Sequence, residues 1–521
     1  MDNHPVKSLS RMVAFVDVNV LPMDSERVCE NQAVLVQEGR ILAMGPVDEI
    51  EVPVEAKVIK ASGAYLMPGL ADMHTHLIEF DPDPRHLVLY NAHGVTTIRS
   101  LNSTWETFKW RDNIKSGEWF GPSIFLSGPA IAGVPPDEGL LALGLRGVLV
   151  LVSVLASALI FGIIWVAMRL IFGSEVGDLF VSNLAVPWLV GTLILAVILV
   201  WRKILPLTRL AEFVIPQAAV VETPSQARAA VRKQVNAGVN FIKPYDYLNR
   251  ETYFATLTTA KEYGMYTAGH IPDDPDVIDV GDALAAGQDE IVHMDEFSHE
   301  FWPNYDPKMR GKLDWEIDFS QIDKVVDYVV DHNAAVTATL VTNEVVLLGL
   351  EDMESLLQDH EYQLIRPGII ENWRTKGRFI KWKGQEGYRR KQWRPLLMQL
   401  TKALQDRGVL LLLGTDVSVE GIVPGASAHK ELELLVEAGL TPFEALCCGT
   451  RNAGTIAKRM GVDSDWGTIE VGNRADFMLL EKNPLEEISN TQSQLGVMLR
   501  GRWLPKSELD QMVTDFRATY D

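Results

Sequence analysis

One unit recurs along the middle of the chain: an apolar strand that ends in a polar or small residue, followed by an amphipathic helix. Eight such strands can be counted: YLMPGLADMH, GVTTIRSL, SIFLSGPAI, VNFIKPY, MYTAGH, EIVHMDE, AVTATLV and VLLLLGTD. The segments between them include TPSQARAAVRKQVNAG, TYFATLTTAKEYG, DPDVIDVGDALAAG and SQIDKVVDYVVDHNA, and each closes with Gly or Asn, the usual helix stops. Strand-then-helix repetition predicts a parallel sheet covered by helices, and eight repeats predict a (β/α)8 barrel; the alternative is an open, doubly wound sheet. The two ends have a different texture. Short apolar runs punctuated by Gly, Pro and acids over 1–66 and 467–521 predict one small β-sandwich domain built from both termini. The barrel is then expected over 67–139 and 210–466.

The strand ends carry most of the chemistry-bearing residues. They are His74 and His76 in ADMHTHL, Lys243 in NFIKPY, His270 in YTAGHIP, His293 in IVHMDE and Asp416 in LLLGTDVS. Residues i and i+2 of a strand point the same way, so His74 and His76 face one site. A His pair on a strand is commonly incidental, a buried Lys commonly ion-paired, and GTD ordinary turn chemistry. The joint pattern says more, because strands 1, 4, 5, 6 and 8 each end in a ligand type that a divalent zinc-like ion accepts.

These stretches resemble the amidohydrolase superfamily, in its binuclear-metal branch of imidazolonepropionase-like and prolidase-like enzymes. The matching segments are LMPGLADMHTHL, NAHGVTTIRSL, GVNFIKPYDYL, TAGHIP, EIVHMDEF, GTDVS, HKELELLVEAGLTPFEAL and GTIEVGNRADFMLLEKNPLEEI. The resemblance implies two divalent ions, zinc or zinc-like. His74, His76 and Asp416 would bind the more buried ion, and His270 and His293 the second. Lys243, carboxylated by carbon dioxide, would bridge them, since an ammonium would repel both cations. A bridging hydroxide would attack, and Asp416 would take its proton and pass it to the leaving amine. Ser100 departs from the Asp that relatives carry at that position. Tyr245 and His429 are candidate substrate contacts, although a packed Tyr and a capping His are equally ordinary roles.

Between strand 3 and helix 3 lie two uncharged runs, GVLVLVSVLASALIFGIIWVAM at 147–168 and LFVSNLAVPWLVGTLILAVILVW at 179–201. Runs of this length predict a transmembrane hairpin over 140–209. Arg146, Arg202, Lys203 and Arg209 flank it on the barrel side, which predicts an integral membrane protein of the inner or plasma membrane with a cytoplasmic catalytic domain. Residues 371–394 hold nine Lys or Arg against two Glu, interleaved with Trp373, Trp382 and Trp393, and predict contact with lipid headgroups.

A formal net charge of -21 argues against nucleic acid as a partner. Three cysteines, Cys29, Cys447 and Cys448, fit a reducing compartment, and the first twenty residues hold no apolar run of signal-peptide length. The expected function is a membrane-anchored hydrolase of an amide bond in a lipophilic substrate, such as an N-acyl amino acid or apolar peptide. Two alternatives stand beside it: the same chemistry on a soluble dipeptide, cyclic amide or lactone with the hairpin only a tether, and a silent membrane receptor or assembly subunit. A homo-oligomer is expected by resemblance.

Overall fold

The computed structural model describes residues 12–134, 157–175, 178–179, 184, 187–188, 191, 218–272, 278–302 and 316–520. The repeat folds into a ring of parallel segments. Leu70–Thr75, Val95–Ser100 and Ser123–Leu126 form one run, and Ala268–Gly269, Glu290–Val292, Ala335–Thr337 and Leu411–Leu412 form another. Parallel bridges from Ser127 to Phe241 and from Ile242 to Thr267 join the two runs through the fourth segment. Met73 N donates to Leu413 O at 2.9 Å and Thr75 bridges Val417, so the last segment returns to the first and the barrel closes. Helices cover the outside. Pro224–Asn236 shows why they start where they do: Thr223 accepts from Gln226 N, and the Gln226 side chain answers the Thr223 N–H.

YLMPGLADMH is not one strand. Tyr65–Pro68 pairs with Phe477–Leu480 in the terminal sheet, whereas Leu70–Thr75 belongs to the barrel. Gly69 separates the two halves, and a Cβ there would sit 2.3 Å from the Thr96 side chain. The terminal sheet runs Arg502–Pro505, Gln494–Leu499, Phe477–Leu480, Tyr65–Pro68, Val13–Val20, Cys29–Gln37, Arg40–Pro46, with Lys57–Lys60 also on Val13–Val20. It encloses its own core, with Phe15, Val18, Val34, Phe477 and Met498 buried together.

Inside the barrel lies a fully buried ion pair. Arg99 Nε donates to Met73 O at 2.8 Å, and its two terminal nitrogens meet both carboxylate oxygens of Glu290. Thr337 Oγ1 and Tyr266 OH donate to the same carboxylate at 2.5 and 3.1 Å. Every lone pair that burial strips of water thus has a partner, as a charge in a dry interior requires.

The membrane reading is corrected. Among the described residues no helix is long and apolar enough to cross a membrane. A span needs about 20 apolar residues in unbroken helix. The described helical stretch 157–172 is shorter than that. Much of both predicted spans lies outside the described residues. The expected integral membrane protein with a cytoplasmic catalytic domain rested on apolar composition and flanking charge alone.

The headgroup-binding reading of 371–394 has a physical correction too. Arg374 pairs with Glu354, Arg390 with Glu351, and Arg394 with Glu344 and Glu437. Trp373 and Trp393 are buried. These arginines and tryptophans are thus engaged with the chain's own helices.

Removing one half of the central ion pair strands the other. Arg99→Met is expected to lower stability by about 3–5 kcal/mol, read by denaturant unfolding, and adding Glu290→Leu to recover most of the loss. A single variant within about 1 kcal/mol of the parent would contradict this reading of the pair.

Candidate metal centre

The donor residues meet at the ends of the barrel strands, where backbone and neighbours hold them in unusual positions. His74 Nε2 lies 3.1 Å from His76 Nε2, and each lies 3.2 Å from Asp416 Oδ1. His293 Nε2 stands 4.0 Å from Asp416 Oδ2. The His74 and His293 rings are 4.4 Å apart, and the His293 and His270 rings 4.9 Å. Two of these donor residues adopt left-handed backbone, His293 at φ +81° and Asp416 at φ +56°. Such strain in non-glycine residues costs about 1–3 kcal/mol each and persists where surroundings impose it.

Those surroundings can be named. Asp72, fully buried, accepts from Thr415 N at 3.0 Å, from Thr415 Oγ1 at 2.5 Å and from His74 N at 3.2 Å, which binds the first strand to the Asp416 turn. Burial pushes its carboxyl up to about 7 against those hydrogen bonds. Gly414 permits the approach, because a Cβ there would fall 2.5 Å from Thr337 and 2.8 Å from His74. His293 Nδ1 bonds Thr339 Oγ1 at 2.8 Å. Thr339 is itself at φ +48°, and buried Glu431 fixes the next turn by accepting from Leu340 N at 3.0 Å and Val341 N at 2.6 Å.

His270 shows a clear division of labour between its nitrogens. Nδ1 bonds Asp246 at 2.8 Å and faces Glu296 at 3.3 Å, while Nε2 is buried with no hydrogen-bond partner. His76 Nδ1 likewise faces Glu79 at 3.4 Å. A carboxylate behind one imidazole nitrogen is the usual support for a metal bond at the other. Lys243 Nζ is also buried without a hydrogen-bond partner, and burial brings its pKa down to about 8 although Asp416, Glu79, Asp246 and Glu296 oppose the fall. Tyr245 packs here, its ring 4.4 Å from that of His270 and 4.9 Å from Lys243 Nζ.

The donors fit a divalent ion. Atoms about 2.0–2.1 Å from a tetrahedral zinc-like ion stand about 3.3–3.4 Å from one another, close to the 3.1–3.2 Å spacing of His74, His76 and Asp416. Burial drives His74 and His293 well below the usual imidazole range, although Asp416 opposes this, whereas His76, lowered by burial, is carried above that range by Glu79 and Asp416. Asp416, pushed up by burial, is held well below the carboxylate range by His74 and His293.

His429 stands apart from this cluster. Its nitrogens bond Thr491 Oγ1 at 2.9 Å and His93 O at 3.0 Å, and burial carries its pKa to about 3. Asp72, Glu79, Asp246, Glu296 and Thr339 escaped the sequence reading. Glu79, Asp246 and Glu296 each lie three residues from a ligand, in HTHLIE, KPYD and HMDE. That spacing was the available signal.

A family model described as the amidohydrolase family matches residues 218–504, more than half of the chain. The chain belongs to the amidohydrolase family. Within it, this amidohydrolase is 31% identical over 108 residues to an imidazolonepropionase of Geobacillus kaustophilus, covering 19% of this chain and 25% of the relative. It is 36% identical over 91 residues to an ochratoxinase of Aspergillus niger, covering 17% and 18%. The chain thus matches at most a quarter of the length of these curated relatives. A solved Xaa-Pro dipeptidase with bound methionine in its active site matches 95% of this amidohydrolase and 100% of its own chain, at a TM-score of 0.59 and 17% identity, a likeness of fold.

Asp246→Asn keeps the size of the side chain but weakens the support behind His270. Zinc affinity, measured by chelator competition, is expected to fall about 10–100-fold, and unchanged affinity would contradict the assigned role.

Proposed function

We propose that this amidohydrolase cleaves the amide bond of a small water-soluble substrate such as a dipeptide, an N-acyl amino acid or a cyclic amide. The observation that carries the proposal is the crowding of His74 Nε2, His76 Nε2 and Asp416 Oδ1 at 3.1–3.2 Å. Lys243 Nζ and His270 Nε2 are buried nearby without hydrogen-bond partners. His74, His76 and Asp416 would hold one ion, His270 and His293 a second, and Lys243 would join them. Divalent ions held there supply a nucleophile from water at neutral pH and a Lewis acid for the carbonyl oxygen.

The chain's own groups do the rest. With its pKa lowered to about 8, Lys243 offers a neutral amine more readily than an exposed lysine. Such an amine adds carbon dioxide and sheds a proton, which replaces a cation with an anionic ligand. Asp416 takes the proton of the attacking water at a carboxylate oxygen and delivers it to the leaving nitrogen. Tyr245 offers its hydroxyl to the substrate carbonyl. Asp246 and Glu296 hold His270, and Thr339 holds His293, so neither of these imidazoles has to reorient during turnover.

The family relationship supports amide chemistry over a lactonase reading. Hydrolysis of dipeptides, N-acyl amino acids, cyclic amides and lactones by zinc-loaded protein tests the proposal, with cleavage expected in an amide class. Asp416→Asn is expected to lower kcat by about 10²–10⁴-fold on the substrate so found. Hydrolysis undiminished in that variant would remove Asp416 from the mechanism.

A further inference from the structure

Arg389 is the arginine of the 371–394 segment whose charge the fold leaves unanswered. Arg374, Arg378, Arg390 and Arg394 each stand within 4.0 Å of a glutamate oxygen, at 2.8, 3.8, 2.5 and 2.6 Å. Among the described residues no carboxylate comes that close to Arg389. Yet Arg389 is only 8% exposed, and its Nε is buried with no hydrogen-bond partner. Its other nitrogens make long contacts, 3.5 Å to Asn343 Oδ1 and 3.4 Å to Gln385 Oε1. Trp382 covers the guanidinium, with Cζ 4.4 Å from the ring centroid. Burial brings its pKa down to about 10, with Asp295 opposing and Arg378 adding to the fall. A buried guanidinium with an unanswered donor costs free energy that a bound anion would return.

Its place in the fold points to the metal centre. Arg389 opens the turn Arg389–Trp393, which runs into the helix Arg394–Asp406. That helix leads back to the start of the last barrel strand, so Arg389 lies on the face where strands end and ligands gather. Asn343 is one helical turn beyond Thr339, the partner of His293. Trp302 stacks on Trp393 at 5.8 Å and adds an apolar wall.

We propose that Arg389 receives a carboxylate of the substrate, so that the molecule cleaved carries one free carboxylate, as a dipeptide or an N-acyl amino acid does. This rests on the amide-hydrolase reading above. A single guanidinium offers a planar fork matched to a carboxylate. A chain charge of -21 opposes a dianion such as a phosphate.

The test compares N-acetyl-L-phenylalanine with N-(2-phenylethyl)acetamide, which keeps the ring and the amide but lacks the carboxylate. Arg389→Met is expected to lower kcat/KM on the first by about 30-fold, mainly through KM, and to leave the second within about twofold. Equal losses on both substrates, or none, would overturn the proposal. Should the parent cleave neither compound, the hydrolase reading fails for this class, and calorimetric binding of N-acetyl-L-phenylalanine decides Arg389 separately. Affinity about tenfold or more weaker in Arg389→Met supports the receptor role; equal affinity, or no binding by the parent, overturns it. If Arg389→Met does not fold, Arg389→Lys keeps the charge without the fork. It should then give an intermediate KM, and a parental KM would count against the role.

Discussion

Three lone-pair donors, His74 Nε2, His76 Nε2 and Asp416 Oδ1, stand 3.1–3.2 Å apart, largely buried at the ends of the barrel strands. Imidazole nitrogens and a carboxylate crowd together in this way when a shared positive charge draws them in. A proton on His76, whose pKa rises against burial through Glu79 and Asp416, bridges only two of the three donors. Burial holds His74 and His293 far below their ordinary range, although Asp416 opposes this. A divalent cation supplies the shared charge well, and most other features of the strand ends follow from that need. The left-handed backbone at His293 and Asp416 aims the ligands. Asp72, Glu431 and Thr339 hold that backbone in place, and Asp246 and Glu296 orient His270.

The Arg99–Glu290 pair ties the interior to this demand. Arg99 bonds the carbonyl of Met73, the residue before His74, and Glu290 starts the strand whose end leads to His293. Shifts of either strand would therefore disturb both a ligand and a buried charge. Buried ion pairs of this kind contribute little net stability relative to apolar packing, but they penalise misregistered alternatives. Here that penalty falls on the relative register of the strands carrying His74 and His293.

Much of this was legible in the sequence because strand periodicity is local. The i, i+2 spacing of His74 and His76 places both on one face, and repeated strand-then-helix units point to a mixed α/β fold with a barrel-like centre. What escaped was non-local or depended on conformation. Arg99 and Glu290 are 191 residues apart, and nothing in either segment announces the other. Asp246 and Glu296 lay inside motifs already noticed and Glu79 just past one, but only tertiary geometry assigns them to imidazoles. His429 was open to the opposite error, since a helix-opening histidine can turn toward a site or toward the core, and its neighbours Thr491 and His93 decide for the core. Hydropathy misled over the apolar insertion and residues 371–394. A window counts side chains without testing how long a helix they form or which charges already have partners.

The central claim concerns ion number. Zinc-loaded full-length protein, freed of excess metal and measured by elemental mass spectrometry against protein concentration, should hold two ions per chain. The intact mass under native conditions should carry the added mass of one carbon dioxide, lost in Lys243→Ala together with at least one ion. One ion or none in the parent, or full occupancy in Lys243→Ala, would contradict the account.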